Sequence, residues 1–223
     1  MSILDFIFPV SCLGCGKPGM YICSECLGRV QVLKPVCPYC EKASIDGFTH
    51  ASCAKKYGLD GLTSIWKYEG VLKKAIQTLK YKYATEITRE LCGYFVPQIH
   101  KSSFIIPNSS VLVPIPIYWY RENYRGFNQS VKIGKVVAEK MGWGFELDLL
   151  IKTKPTTSQA GLSVKDRKKN LRDVFAINPN YLLPVTNYLL FDDVFTTGST
   201  LKEAAKVLKK NGASRVWGMT LAR

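Results

Sequence analysis

The sequence predicts an α/β protein, a mostly parallel sheet flanked by helices, preceded by a small metal-binding module. Three observations carry this. Apolar runs with strand character alternate with segments whose apolar residues recur at helical spacing. Seven of the eight cysteines lie before residue 54. One apolar run, LLFDDVFTTGST from Leu189 to Thr200, ends in two aspartates and a turn of small hydroxylated residues.

The module comes first. Cys12 and Cys15, Cys23 and Cys26, and Cys37 and Cys40 are C-x-x-C pairs, and His50 and Cys53 repeat the spacing. Such a pair lets two side chains of one tight turn reach the same ion at about 2.3 Å. Eight ligands make two closed Zn²⁺ sites, which are structural rather than catalytic. CLGCGK and CPYCEK have the form of zinc knuckles, whereas ICSECLGRV and HASCAKK have the form of ligand pairs entering a helix. That favours sequential pairing: Cys12, Cys15, Cys23 and Cys26 on one ion, and Cys37, Cys40, His50 and Cys53 on the other. The seven-residue spacer between Cys15 and Cys23 keeps interleaved pairing open. Cys92 stands alone as a small core residue.

At AKKYGLDGLTSIW the composition changes, and Gly58 and Gly61 suggest a junction near residue 60, dividing the chain into 1–59 and 60–223. Beyond it, VLKKAIQTLKYKY (71–83) reads as a helix and SVLVPIPI (110–117) as a short strand closed by prolines. SVKIGKVVAEKMGW (130–143) is a helix with Ile133, Val136, Val137 and Met141 on one face. NYLLFDDV (187–194) is a buried strand, LKEAAKVLKKNG (201–212) a helix with a glycine stop, and SRVWGMTLA (214–222) a final strand. Ligands of such sheets bind beyond the carboxyl ends of the strands.

The 223 residues carry 31 Lys and Arg against 17 Asp and Glu, a net charge of +14. This favours a polyanionic partner: nucleic acid, an anionic membrane surface or a polyphosphorylated small molecule. The start, MSILDFIFPV, is apolar but short and carries Asp5 without a basic leader. It matches neither a secretory signal nor a membrane span. The expectation is a soluble, cytoplasmic protein with no membrane insertion, a reducing compartment in which paired cysteines bind metal.

A strand that runs through a tight turn into a helix presents backbone N–H groups and a positive dipole end to an anion. Thr196, Thr197, Gly198, Ser199 and Thr200 suit a phosphate monoester. No Lys follows the glycine as a triphosphate P-loop requires. Carboxylates repel a phosphate unless they serve another part of the ligand, so Asp192 and Asp193 suit two sugar hydroxyls. A ribose 5-phosphate fits this division; a helix cap beside two solvated aspartates is the alternative. The stretch resembles the 5-phosphoribosyl 1-pyrophosphate (PRPP) motif of type I phosphoribosyltransferases: hydrophobic strand, acidic pair, two hydrophobic residues, then T-T-G-x-T.

That resemblance implies a type I phosphoribosyltransferase-like fold with three loops in chain order: a pyrophosphate loop, a closing loop and the PRPP loop. VLVPIPIYWYRENYRGFNQS (111–130) is the candidate for the first, with Tyr118, Arg121 and Arg125 as pyrophosphate-binding residues. KTKPTTSQAGLSVKDRKKNLRDVF (152–175) carries seven Lys or Arg against Asp166 between positions 152 and 172, and reads equally as a mobile lid or a solvated charged face. R-G-F-N-Q at 125–129, the spaced Gln159, Leu162, Arg167 and Asn170, LKYKY (79–83) and the cysteine pairs together resemble the ComF family. In that family an N-terminal zinc module precedes a phosphoribosyltransferase-like domain. Two departures stand out: Tyr118, Trp119, Tyr120 and Asn123 where arginine and histidine are usual, and His50 where a cysteine is usual.

The resemblance implies PRPP with Mg²⁺ as ligands, Asp192 and Asp193 as the catalytic pair on the ribose, and association with DNA uptake and other competence proteins. The acceptor is unassigned, since no segment encodes a recognisable base pocket; a hood within residues 61–110 would set it. The alternative is a non-enzymatic single-stranded DNA-binding competence factor that uses the fold as a binding module. A zinc-mediated interaction protein with an inert body is a third reading, and it leaves the phosphate turn unexplained.

Overall fold

A computed structural model describes residues 10–79, 84–101, 110–120, 123, 126–155, 173–184 and 186–223. A short helix, α1 (Ser24–Gly28), and two single 3-10 turns, Ile45–Gly47 and Ala51–Cys53, belong to the cysteine-rich segment. The remainder runs β1 (Gly61–Trp66), α2 (Gly70–Thr78), α3 (Ala84–Lys101), β2 (Val111–Pro114), α4 (Gln129–Met141), β3 (Gly144–Phe145), β4 (Leu150–Lys152), β5 (Phe175–Ile177), β6 (Asn187–Val194), α5 (Ser199–Lys210) and β7 (Arg215–Ala222).

Five strands form one sheet in the order β1-β7-β6-β2-β3, every pair parallel. The two-residue period of a strand explains how β6 serves two cores. Leu189 and Phe191 face a cluster that includes Ile133 and Val137 of α4 and Ile87, Leu91 and Phe95 of α3. Tyr188 and Leu190 face the opposite cluster, to which α5 contributes Leu201, Ala204, Ala205 and Leu208, one helical stripe. Aromatic contacts continue through the first core, Trp66 to Phe95 at 5.8 Å and Phe95 to Phe191 at 6.3 Å between ring centroids.

The two crossovers place the site. From β2 the chain passes through α4 outward to β3; from β6 it passes through α5 outward the other way to β7. Right-handed connections running in opposite directions lie on opposite faces of the sheet, which leaves a crevice at the carboxyl ends of β2 and β6, where the order reverses.

Several expectations shift. The helix foreseen over 71–83 is α2, ending at Thr78, and the residues after Leu79 in LKYKY lie outside the described residues. Within 61–110, where a hood was expected, the described residues form β1, α2 and α3, and positions 80–83 and 102–109 lie outside the described residues. Helix α3 escaped the periodicity reading because Gly93 and Pro97 interrupt it, yet its buried stripe holds it against α4. The lid candidate emerges from a two-stranded antiparallel ribbon, Lys152 opposite Phe175, and positions 156–172 lie outside the described residues.

The cysteine-rich segment is hydrogen-bonded to β1. Leu33 N donates to Ile65 O at 2.7 Å, Lys67 N to Gln31 O at 2.9 Å and Thr49 N to Asp60 O at 2.8 Å. On the other side Glu90 of α3 accepts from Tyr21 N at 3.1 Å and Ile22 N at 2.7 Å. Gly61 lies flat on the Trp217 ring, where a Cβ would come within 2.1 Å of it, and Phe48 meets the same ring edge-on with centroids 5.0 Å apart. Among the described residues no helix is long and apolar enough to cross a membrane.

Candidate metal centres and anion site

The eight predicted ligands converge in two groups: Cys12, Cys15, Cys23 and Cys26, and Cys37, Cys40, His50 and Cys53, with the ligand atoms of each group within 4.8 Å of one another. The pairing is therefore sequential. A tetrahedral ion with bonds of about 2.3 Å separates its thiolates by about 3.8 Å, and the Cys15 and Cys23 sulfurs are 3.8 Å apart. The donor set and spacing fit two closed Zn²⁺ sites.

Local backbone geometry stabilises the thiolates. Gly14 N and Cys23 N approach Cys12 Sγ at 3.4 and 3.5 Å, and Cys26 N approaches Cys23 Sγ at 3.4 Å, where Cys23 caps α1. Burial raises the Cys12 thiol, but N–H donors from Cys23, Cys15 and Gly14 outweigh it and bring the pKa to about 6. Cys37 comes to about 7 by the same opposition of burial to backbone donors at Cys40, His50 and Tyr39. Proton sharing with Cys15 and Cys23 pushes Cys26 up to about 12.

His50 is arranged as a ligand. Its Nε2 lies 3.0 Å from Ala43 O and its Nδ1 3.3 Å from Cys40 Sγ. A carbonyl accepts only from N–H, so Nε2 carries the proton and the Nδ1 lone pair faces the cluster. Imidazole thus replaces the usual cysteine without loss of a donor. Cys92 is fully buried, and burial pushes its thiol up to about 12; it is the core residue the sequence suggested.

The second site sits in the crevice. Asp192 and Asp193 lie near the carboxyl end of β6, just before Val194, and face the first turn of α4. Ser130 Oγ donates to Asp192 Oδ1 at 3.1 Å, as does Asp193 N at 2.9 Å, and Gln129 Nε2 donates to Asp193 Oδ2 at 3.2 Å. Asn128 caps α4 through Ser130 N at 2.9 Å and donates to Ile115 O, just past β2, at 3.0 Å. The two strands flanking the crevice are thus tied together beneath the carboxylates. Asp193 is buried and Asp192 half-buried.

Thr196 to Thr200 form the turn into α5. Gly198 takes a left-handed conformation, φ 66°, where a Cβ would lie 2.3 Å from the Phe195 ring. Only glycine fits both the conformation and the space. Thr197 Oγ1 and Ser199 Oγ are 2.8 Å apart. Thr196 is exposed, Thr197 and Thr200 half-buried, and Ser199 buried. Ser199 and Thr200 open a twelve-residue helix whose amino end faces the crevice, a geometry that accepts a phosphate.

Of the pyrophosphate candidates, Tyr118 is half-buried with its ring 5.8 Å from Trp119, while Arg121 and Arg125 lie outside the described residues. Sequence reasoning missed the support given by Gln129 and Ser130; the available signal was Asn128 as a helix cap, which puts both in the first turn. It also missed Lys202, whose Nζ donates to Thr197 O at 2.8 Å. One helical turn beyond Gly198, it brings a cation to the Thr196–Thr200 turn.

The fold and sites define a class: a double zinc module joined to a parallel α/β body with an acidic crevice at the reversal of strand order. Residues 3–55 match the double zinc ribbon domain family. The chain is 30% identical over 209 residues to competence protein F of Haemophilus influenzae, covering 90% of each protein. It is 30% identical over 208 residues to the DNA utilization protein YhgH of Salmonella typhi, covering 91% of this chain and 90% of that one. Competence protein ComFC of Bacillus subtilis is 27% identical over 220 residues, covering 93% and 86%. The chain belongs to the ComF family. Among solved structures, adenine phosphoribosyltransferases of Leishmania donovani and Leishmania tarentolae align with TM-scores of 0.35 and 0.33 at 17% and 15% identity, over 60% of this chain and 51% and 70% of theirs.

Proposed function

We propose that this chain is a phosphoribosyltransferase-like protein that binds PRPP and acts in DNA uptake. The observation that carries the reading is the joint placement of Asp192, Asp193 and the Thr196–Thr200 turn at the strand-order reversal. Asp192 and Asp193 accept hydrogen bonds from the ribose hydroxyls, and the turn receives the 5-phosphate. Tyr118, Arg121 and Arg125 complete the grip at the pyrophosphate. Mg²⁺ would supply neutralisation of leaving-group charge, and Asp192 and Asp193 offer the hard oxygen groups that would favour it. The names of the relatives, competence protein and DNA utilization protein, support the cellular role.

Titration calorimetry with PRPP and Mg²⁺ tests the binding, followed by pyrophosphate release against a panel of bases and amines. Saturable Mg²⁺-dependent binding is expected; no heat and no release at millimolar PRPP would overturn the reading.

A second reading, single-stranded DNA binding, is favoured by one observation. Trp119 and Tyr120, 60% and 65% exposed, stand side by side beyond β2 on a chain of net charge +14. Exposed rings and cations stack and neutralise a single strand. Its affinity should fall steeply with salt; salt-independent or absent binding would remove this reading.

A further inference from the structure

Lys202 sits where two parts of the molecule meet. Its ammonium donates to Thr197 O at 2.8 Å, inside the phosphate turn, and lies 5.4 Å from the Phe195 ring centroid. It also lies 5.2 Å from the centroid of Tyr39, the residue between the Cys37 and Cys40 ligands of the second zinc site. Tyr39 is itself fixed: its hydroxyl accepts from Leu59 N at 2.9 Å, and Lys55 Nζ stands 5.2 Å from the same ring. Together Tyr39, Cys40, Cys53, Ser199 and Lys202 line one cleft between the second ribbon and α5.

We propose that Lys202 is an anion-binding residue of the phosphate site and that Tyr39 of the second zinc knuckle is its positioning residue, so that loading of that zinc site sets the affinity of the turn. This rests on the reading of the turn as a phosphate site. A lysine stem has four rotatable carbons, and without a partner its charge is spread over a wide volume. Packing of the ammonium against two ring faces confines it. The position confined is one whose cation adds Coulombic attraction to the positive end of α5. Zinc enters because the knuckle holds Tyr39 between two ligands; when the ligands part, the backbone end of Tyr39 is released and the hydroxyl's bond to Leu59 N alone does not fix the ring over Lys202. The zinc ribbon is then part of the anion site rather than a separate appendage.

The test measures binding of ribose 5-phosphate by the full-length zinc-loaded protein. Lys202→Met should weaken it about tenfold, with a shallower salt dependence, and Lys202→Arg should restore most of the affinity. Tyr39→Leu should weaken it comparably, whereas Tyr39→Phe, which keeps the ring and loses only the hydroxyl's bond to Leu59 N, should lose clearly less. Circular dichroism and bound zinc, measured on each variant, separate loss of position from loss of fold. Partial chelation of the second site should lower affinity in the wild type and leave Lys202→Met unchanged. If the wild type binds no ribose 5-phosphate, the phosphate reading itself fails. If it binds and Lys202→Met or Tyr39→Leu binds equally well while folded, the turn stands and the proposal falls.

Discussion

Replacing Asp192 and Asp193 together by asparagine separates ligand binding from folding. Asp192 Oδ1 accepts from Ser130 Oγ and Asp193 N, and Asp193 Oδ2 accepts from Gln129 Nε2. An amide oxygen at each position keeps these three bonds while it turns charged acceptors into neutral ones. Bonds to charged groups contribute about 1.5–3 kcal/mol against about 0.5–1.5 kcal/mol for neutral pairs. Over three bonds the difference comes to about 3 kcal/mol; removing the repulsion between adjacent carboxylates offsets part of it, leaving a net loss of about 2 kcal/mol, or about 4–8 °C in Tm for a chain of this size. Ligand binding moves Tm further: PRPP at 100 times its Kd adds about 2.7 kcal/mol, about 5–10 °C. Thermal unfolding with and without PRPP and Mg²⁺ should show a wild-type shift of that order and none in the double variant. A variant that keeps the full shift refutes the role of the carboxylates. A variant that melts more than about 10 °C lower without ligand refutes the claim that the network tolerates neutral acceptors.

Gly198→Ala forces a Cβ onto the Phe195 ring in a left-handed backbone, so it should cost about 1–3 kcal/mol and abolish the PRPP shift; an unchanged shift argues against the turn as the phosphate site. Glu90→Ala removes the acceptor of Tyr21 N and Ile22 N and should lower stability by about 1–3 kcal/mol in urea, with metal analysis still giving two zinc ions per chain. Burial raises the Cys92 thiol from 9.0 to about 12, so the folded state retains a proton that the unfolded chain gives up. The stability this contributes is complete below pH 9 and drains away as pH rises toward 12. Urea midpoints should therefore fall more between pH 8 and pH 10 in wild type than in Cys92→Ala, and equal falls would contradict the burial argument.

Much of the site was legible because its information is local. Four ligand pairs at fixed spacing announce a metal whatever the rest of the chain does, and an apolar run ending in DDVFTTGST announces a strand, a turn and a helix start. Asn128 as a cap places Gln129 and Ser130 in a first helical turn, but nothing local ties them to the carboxylates 64 and 62 positions away. Gly61, read from the sequence as a sign of a junction, is also a place where backbone and indole touch.

By itself, then, the sequence determined which residues bind zinc, where the acidic strand ends and where α5 begins, since spacing and periodicity act within a few residues. The tertiary structure settled the sequential zinc pairing that the spacing favoured, and it alone decided that β1 joins the final strand β7 and that Tyr39 meets Lys202 of α5. These are contacts between segments far apart along the chain. They are selected by which crossovers bury the two apolar faces of the sheet, a condition satisfied by the whole chain and written in no single stretch of it.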